Sequence, residues 1–163
     1  MSEGKILYSK KEQRYFIKLS GDLRFTSGRD FDSLLESMFK DTDMEDVMID
    51  MSEANYLDST MLGLLAKIAN FFITKFQKKI TILSTNEDIN YLLSNIGLDN
   101  VFIIVTSFEV TPEVLENIPN INSSDRENAM TILDAHRQLV NLNEKNSEVF
   151  KDVIELLEQD TNK

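Results

Sequence analysis

Residues 46–65, Asp-Val-Met-Ile-Asp-Met-Ser-Glu-Ala-Asn-Tyr-Leu-Asp-Ser-Thr-Met-Leu-Gly-Leu-Leu, do most to limit what this chain can become. Val47–Ile49 is a short apolar run and reads as a buried strand, with the polar stretch behind it as a loop. From Ser59 the chain turns apolar for too long to be a strand, so a helix is expected over residues 59–76. Ser59 and Thr60 then place two hydroxyls in the first turn of that helix, where free backbone N–H groups and the macrodipole favour negative charge. A phosphate at that point is locally tolerated. The arrangement suits a switch better than an enzyme.

The rest of the chain supplies partners for that unit. Ile6–Ser9 and Tyr15–Ser20, joined by the polar turn Lys10–Arg14, read as a hairpin. Ser27 followed by Asp30 resembles a capping box, and Phe31, Leu34, Leu35, Met38 and Phe39 form a helical stripe over residues 28–40. Ile80–Leu83 reads as a strand. A third helix starts at Thr85 with Asp88 and stops at Gly97, which suits the left-handed position after a helix. Val101–Val105 is the last strand. An initial hairpin followed by alternating helices and strands predicts an α/β fold, a mixed sheet of about five strands packed with helices.

Composition removes several classes of function. Acidic residues number 28 against 17 basic ones, a formal charge of −11, and no basic patch suited to nucleic acid is apparent. There is no cysteine and a single histidine, His136, which excludes disulfides, a zinc site and a Cys/His catalytic pair. The acidic run Asp41, Asp43, Glu45, Asp46, Asp50 and Glu53 lacks the glycine an EF-hand loop requires, and a solvated rim accounts for it better than a metal site. Gly-rich phosphate loops and nucleophile elbows are missing, so neither a cofactor nor catalysis is expected. No apolar stretch is long enough to span a bilayer, and the first residues do not form a signal peptide. A cytoplasmic protein without a membrane partner is the expectation.

Asp50-Met51-Ser52, Leu57-Asp58-Ser59-Thr60 and Gly63, preceded by Gly21-Asp22-Leu23 and followed by Ile96-Gly97-Leu98, resemble in order and spacing the signature of the STAS domain, the fold of bacterial anti-sigma factor antagonists. The resemblance covers roughly residues 5–110. It implies that the chain is an anti-sigma factor antagonist working in a phosphorylation-dependent partner switch. Ser59 would be the acceptor, with Thr60 the alternative, and Asp58 would order the loop or the acceptor hydroxyl. Asp22, Asp58, Ser59, Thr60, Met61 and Gly63 would form the partner-binding surface. The implied partners are an anti-sigma factor or serine kinase, bound when Ser59 is unmodified, and a PP2C-type phosphatase that resets the switch. Release needs no conformational change in this picture. The resemblance also admits a structural STAS subunit of a larger assembly, in which Ser59 only caps a helix. Where the family often has an acidic or His-containing stretch, this chain carries Arg24-Phe25-Thr26.

Residues 1–110 are thus read as a STAS domain and residues 111–163 as a helical C-terminal extension, which core STAS domains lack. Thr111-Pro112-Glu113 should start a short helix ended by Pro119, and Asn117–Ser123 reads as a linker. Ser124 and Glu127 form a capping box for a long helix reaching about Gln159, with Asn141–Ser147 polar enough to break it in two. Its stripe, Ile132, Ala135, Leu139, Leu142, Val149, Val153 and Leu156, is too wide to stay in water. The 59–76 helix carries surplus apolar surface, so the stripe is expected to pack against the STAS body, with homodimerisation through the extension as the alternative.

Overall fold

The computed structural model describes residues 3–108, 112 and 114–162. Its strands are β1 (Lys5–Lys11), β2 (Arg14–Leu23), β3 (Asp46–Leu57), β4 (Ile80–Leu83), β5 (Phe102–Val105) and β6 (Glu116–Asn117). Its helices are α1 (Gly28–Phe39), α2 (Ser59–Phe76), α3 (Glu87–Ile96), α4 (Asp125–Val140) and α5 (Glu144–Thr161). All six strands form one mixed sheet in the order β5-β4-β3-β2-β1-β6. β1 runs antiparallel to both β2 and β6, while β2, β3, β4 and β5 are mutually parallel. Each parallel step is bridged by a helix, as parallel pairing requires.

Side-chain alternation settles which face of the sheet is covered. Tyr8, Ile17, Ile49, Ile82 and Ile104 stand opposite one another in register. Of these, Ile17, Ile49 and Ile82 have no exposed area, and they belong to the main core with Phe31, Leu35, Leu65 and Phe72 of the helices. The neighbouring row, Ser9, Phe16, Met48, Thr81 and Ile103, lies on the opposite face, where Ile103 is largely exposed. Phe16 is sheltered there by the edge of Phe108, with ring centroids 5.9 Å apart.

Several sequence expectations are corrected. The polar stretch read as a loop after Ile49 continues as strand to Leu57, because β2 supplies its backbone partners as far as Leu23 through two register shifts. The helix start expected at Thr111 and Glu113 lies outside the described residues. Where it would end, Glu116–Asn117 instead pairs with β1 as a sixth strand. The supposed linker is tied down: Ile118 N–H donates to the Ile6 carbonyl, and Ile121 N–H donates to Asp30 Oδ1 at 2.9 Å. Asp30 therefore forms no capping box with Ser27, whose side chain makes no capping bond. Asn86, not Thr85, caps α3, accepting from the N–H groups of Asp88 and Ile89.

The acidic run meets bases from neighbouring elements. Lys10 and Tyr15 Oη donate to Asp41 at 2.8 and 2.7 Å, Arg14 and Lys78 pair with Asp46, and Lys18 pairs with Glu53.

The extension breaks near Asn141–Asn143 into α4 and α5. α4 starts with the expected capping box of Ser124 and Glu127. It packs across α1 and α2, burying Leu133, Ala135 and Leu139, and α5 packs on α4. Asn146 Nδ2 donates to the carbonyls of Ile96 and Leu139, both at 2.8 Å, which pins the start of α5 to the end of α3. The α4 part of the expected stripe is spent within the chain, but the α5 part is not: Val149, Val153 and Leu156 are exposed, because α5 packs on α4 and not across α1 and α2 as α4 does.

Candidate functional site

The end of β3 hands the chain to α2 through a single residue, Asp58, which is extended and forms the N-cap. Its Oδ1 accepts from Met61 N–H at 3.0 Å and its Oδ2 from Phe25 N–H at 2.6 Å. One carboxylate therefore satisfies a free donor of α2 and fixes the turn that follows β2. Asp58 orders the loop, but the Ser59 hydroxyl next to it is held by something else.

Ser59 is the first residue of α2, not its cap, and is half-buried. Its Oγ lies 2.9 Å from Nε2 of His136, on α4. His136 Nδ1 lies 2.7 Å from the Ile132 carbonyl, an oxygen that can only accept. A proton therefore sits on Nδ1, and Nε2 is the ring atom that faces the Ser59 hydroxyl. His136 is 5% exposed and packs against the edge of Phe150 from α5, with ring centroids 5.5 Å apart. This is the partner that sequence reasoning missed. Its signal was present: a histidine with Ile132 one turn before it and Leu139 and Val140 one turn after, on a stripe that must be buried, needs a polar partner.

Gly63 lies one turn further along the same face of α2. A Cβ at this position would press into the backbone of Ala135, so the two helices touch backbone to backbone. One turn on again, Lys67 Nζ reaches Asp32 and Glu36 of α1 at 2.6 Å and Asp134 of α4 at 3.7 Å. Burial opposes the Lys67 charge, but its bonds to Asp32 and Glu36 outweigh that and raise its pKa. Ser59, Gly63 and Lys67 thus form a ridge that α4 covers.

Of the residues expected at a partner surface, Asp22 and Asp58 are half-buried, and Asp22 stands in register with Tyr56. Met61 has no exposed area and lies in the core, Thr60 is 3% exposed opposite Gly28, and Gly63 lies beneath α4. The open surface lies beside them instead. Phe25 is 54% and Tyr56 36% exposed, and the Arg24 guanidinium stands 4.5 Å over the Tyr56 ring. Two exposed aromatics and a cation thus border the half-open side of Ser59.

Among the described residues no group of His, Asp and Glu side chains is placed to hold a metal ion, and no helix is long and apolar enough to cross a membrane. A family model described as the STAS domain matches residues 6–114. No curated protein sequence matches the chain. Among solved structures, the chain is similar to the anti-sigma factor antagonist SpoIIAA in its unphosphorylated form. That match has a TM-score of 0.53 at 11% identity, covering 66% of this chain and 91% of that one. At that identity the likeness is one of fold. The region that the family model matches ends at residue 114, before α4 and α5 begin.

Proposed function

The chain belongs to the STAS domain family, and from that premise we propose that it is a binding module, an anti-sigma factor antagonist in a phosphorylation-dependent partner switch. Its division into a STAS domain over residues 1–110 and an extension over 111–163 is part of the same reading. Unmodified, the Ser59 surface binds an anti-sigma factor or serine kinase and so frees a client. A phosphate on Ser59 breaks that contact, and a PP2C-type phosphatase restores it. The observation that carries the reading is the half-buried Ser59 at the first position of α2, next to the Asp58 cap that Phe25 N–H bonds and to the exposed Arg24–Tyr56 pair. Phosphate adds about −1.5 to −2 charges to such an interface. Leaving a buried charge unpaired costs about 3–5 kcal/mol, a factor of several hundred or more in affinity.

The test is mass spectrometry of the protein co-purified from its host, followed by binding of variants to the captured partner. Ser59→Ala should bind and resist phosphorylation, while Ser59→Asp should bind at least tenfold more weakly. Equal affinities would end this reading, whereas phosphate on Thr60 would move only the residue assignment. A second reading, a structural STAS subunit without a phosphoswitch, is favoured by the hydrogen bond from Ser59 to His136. In that case Ser59 is a latch between α2 and α4 and carries no phosphate in cells.

A further inference from the structure

We infer that α4 and α5 are a gate on Ser59: seated, α4 holds the hydroxyl against His136, and a phosphate on that hydroxyl unseats α4. The inference rests on the switch reading of Ser59, and it adds a moving part that the resemblance did not imply. Three observations carry it. The Ser59 Oγ to His136 Nε2 contact, at 2.9 Å, leaves no room for a phosphoryl group between them. The Nδ1 bond to the Ile132 carbonyl holds the Nε2 edge of the ring toward Ser59, so an added phosphate meets that edge at contact distance. The ring cannot swing aside cheaply, being 5% exposed with Phe150 against it and the α4 backbone on Gly63.

The nearby cations on α1 and α2 are already engaged by carboxylates. Lys67 is engaged by Asp32, Glu36 and Asp134, and Arg29 pairs with Asp32 and Glu127. Coupling of this kind is reciprocal: what a phosphate does to the seating of α4, the seating of α4 does to the ease of phosphorylation. The gate therefore both slows modification and reports it, by baring the Gly63 ridge of α2 and the Leu133 and Leu139 side chains of α4.

Because the chain has no cysteine, a single introduced thiol can read the gate in the full-length protein. Ala135→Cys places one at the α2–α4 contact, and Leu139→Cys is a second site with a smaller side chain than the native one; both native residues have no exposed area. Ser84→Cys, equally buried at the end of β4, reports opening of the STAS body. Labelling by a thiol reagent under native conditions follows the open fraction. Adding Ser59→Asp should raise labelling at the α4 sites by about tenfold or more and leave the Ser84 site unchanged, while Ser59→Ala should raise it only a few-fold. Unchanged labelling with Ser59→Asp would overturn the gate. So would slower labelling, in which a protonated His136 clamps the anion, or an equal rise at all three sites, which is global unfolding. The assay contains neither kinase nor partner. Failure of the gate therefore appears here, and failure of the switch appears as unphosphorylated Ser59 or unaltered partner binding.

Discussion

At the scale of single residues, two contacts decide how α4 sits. Replacing glycine by alanine inside a helix ordinarily stabilises it by about 0.5–1 kcal/mol. At Gly63 the added methyl would meet the Ala135 backbone, and a backbone cannot rotate away as a side chain can. Gly63→Ala should therefore lose about 1–3 kcal/mol, the range for overpacking, and lower Tm by several degrees in a thermal melt. A higher Tm would show that α4 yields easily. The second contact is the hydrogen bond from Ser59 to His136. A double-mutant cycle of Ser59→Ala and His136→Phe in denaturant unfolding should give a coupling of about 0.5–1.5 kcal/mol. Coupling near zero would mean that water satisfies Ser59 equally well. Both halves of this contact could be named from the sequence, Ser59 through its motif and His136 as the only histidine. Their meeting could not, because 77 residues separate them and no local spacing encodes a contact between helices so far apart in the chain.

At the scale of elements, legibility followed periodicity. The strand cores Ile6–Ser9, Tyr15–Ser20, Val47–Ile49 and Ile80–Leu83 and the first three helices stand out because alternation and helical stripes are written in adjacent residues. The second half of β3 does not, since Ser52, Glu53, Asn55 and Tyr56 are polar or exposed and become strand only through pairing with β2. β6 is two exposed residues joined to β1 by backbone bonds, for which side-chain pattern is silent. The break between α4 and α5 was visible in the polar Asn141–Ser147 segment, and Asn143 caps the second helix there. The apolar surplus of α2 and the stripe of α4 were each readable, and together they pointed to intramolecular packing. Removing α4 and α5 should therefore harm what remains. Leu133 and Leu139 each account for about 1.5–3 kcal/mol of buried apolar surface. Truncation after Asn117 should lower Tm markedly or cause aggregation, read by light scattering and thermal melt. A truncated protein that stays monomeric with an unchanged Tm would make the extension an independent element.

At the scale of the whole molecule, the pH range of stability tests how far the fold leans on one cluster at the β1–β2 hairpin. Tyr15 Oη and Lys10 both bond Asp41, whose pKa is lowered to about 2 by those two hydrogen bonds and the Asp43 N–H. Burial and the bond to Asp41 raise the Tyr15 pKa to about 12. A carboxylate with a depressed folded-state pKa contributes stability above its unfolded value near 3.8 and loses it as pH falls toward 2. A phenol with a raised pKa contributes below its unfolded value near 10 and loses that stability as pH rises toward 12. Between those limits the neutral Tyr15 phenol donates to the ionised Asp41 carboxylate, tying the hairpin to the segment after α1. Tyr15→Phe removes the donor and keeps the ring that packs in the core. The variant should melt below the parent across the neutral range, by about 1 kcal/mol for the lost bond plus any cost of the bereft carboxylate. The difference should shrink as pH rises from 10 to 12, where the unfolded phenol ionises first and the folded one last, and again as pH falls from about 4 toward 2, where the carboxylate takes up its proton first in the unfolded and then in the folded state. Melting curves of both proteins over that range decide it. A gap that stays constant through both limits would mean that Tyr15 acts by packing alone, and that the hairpin cluster has no hold on the pH range in which this molecule stays folded.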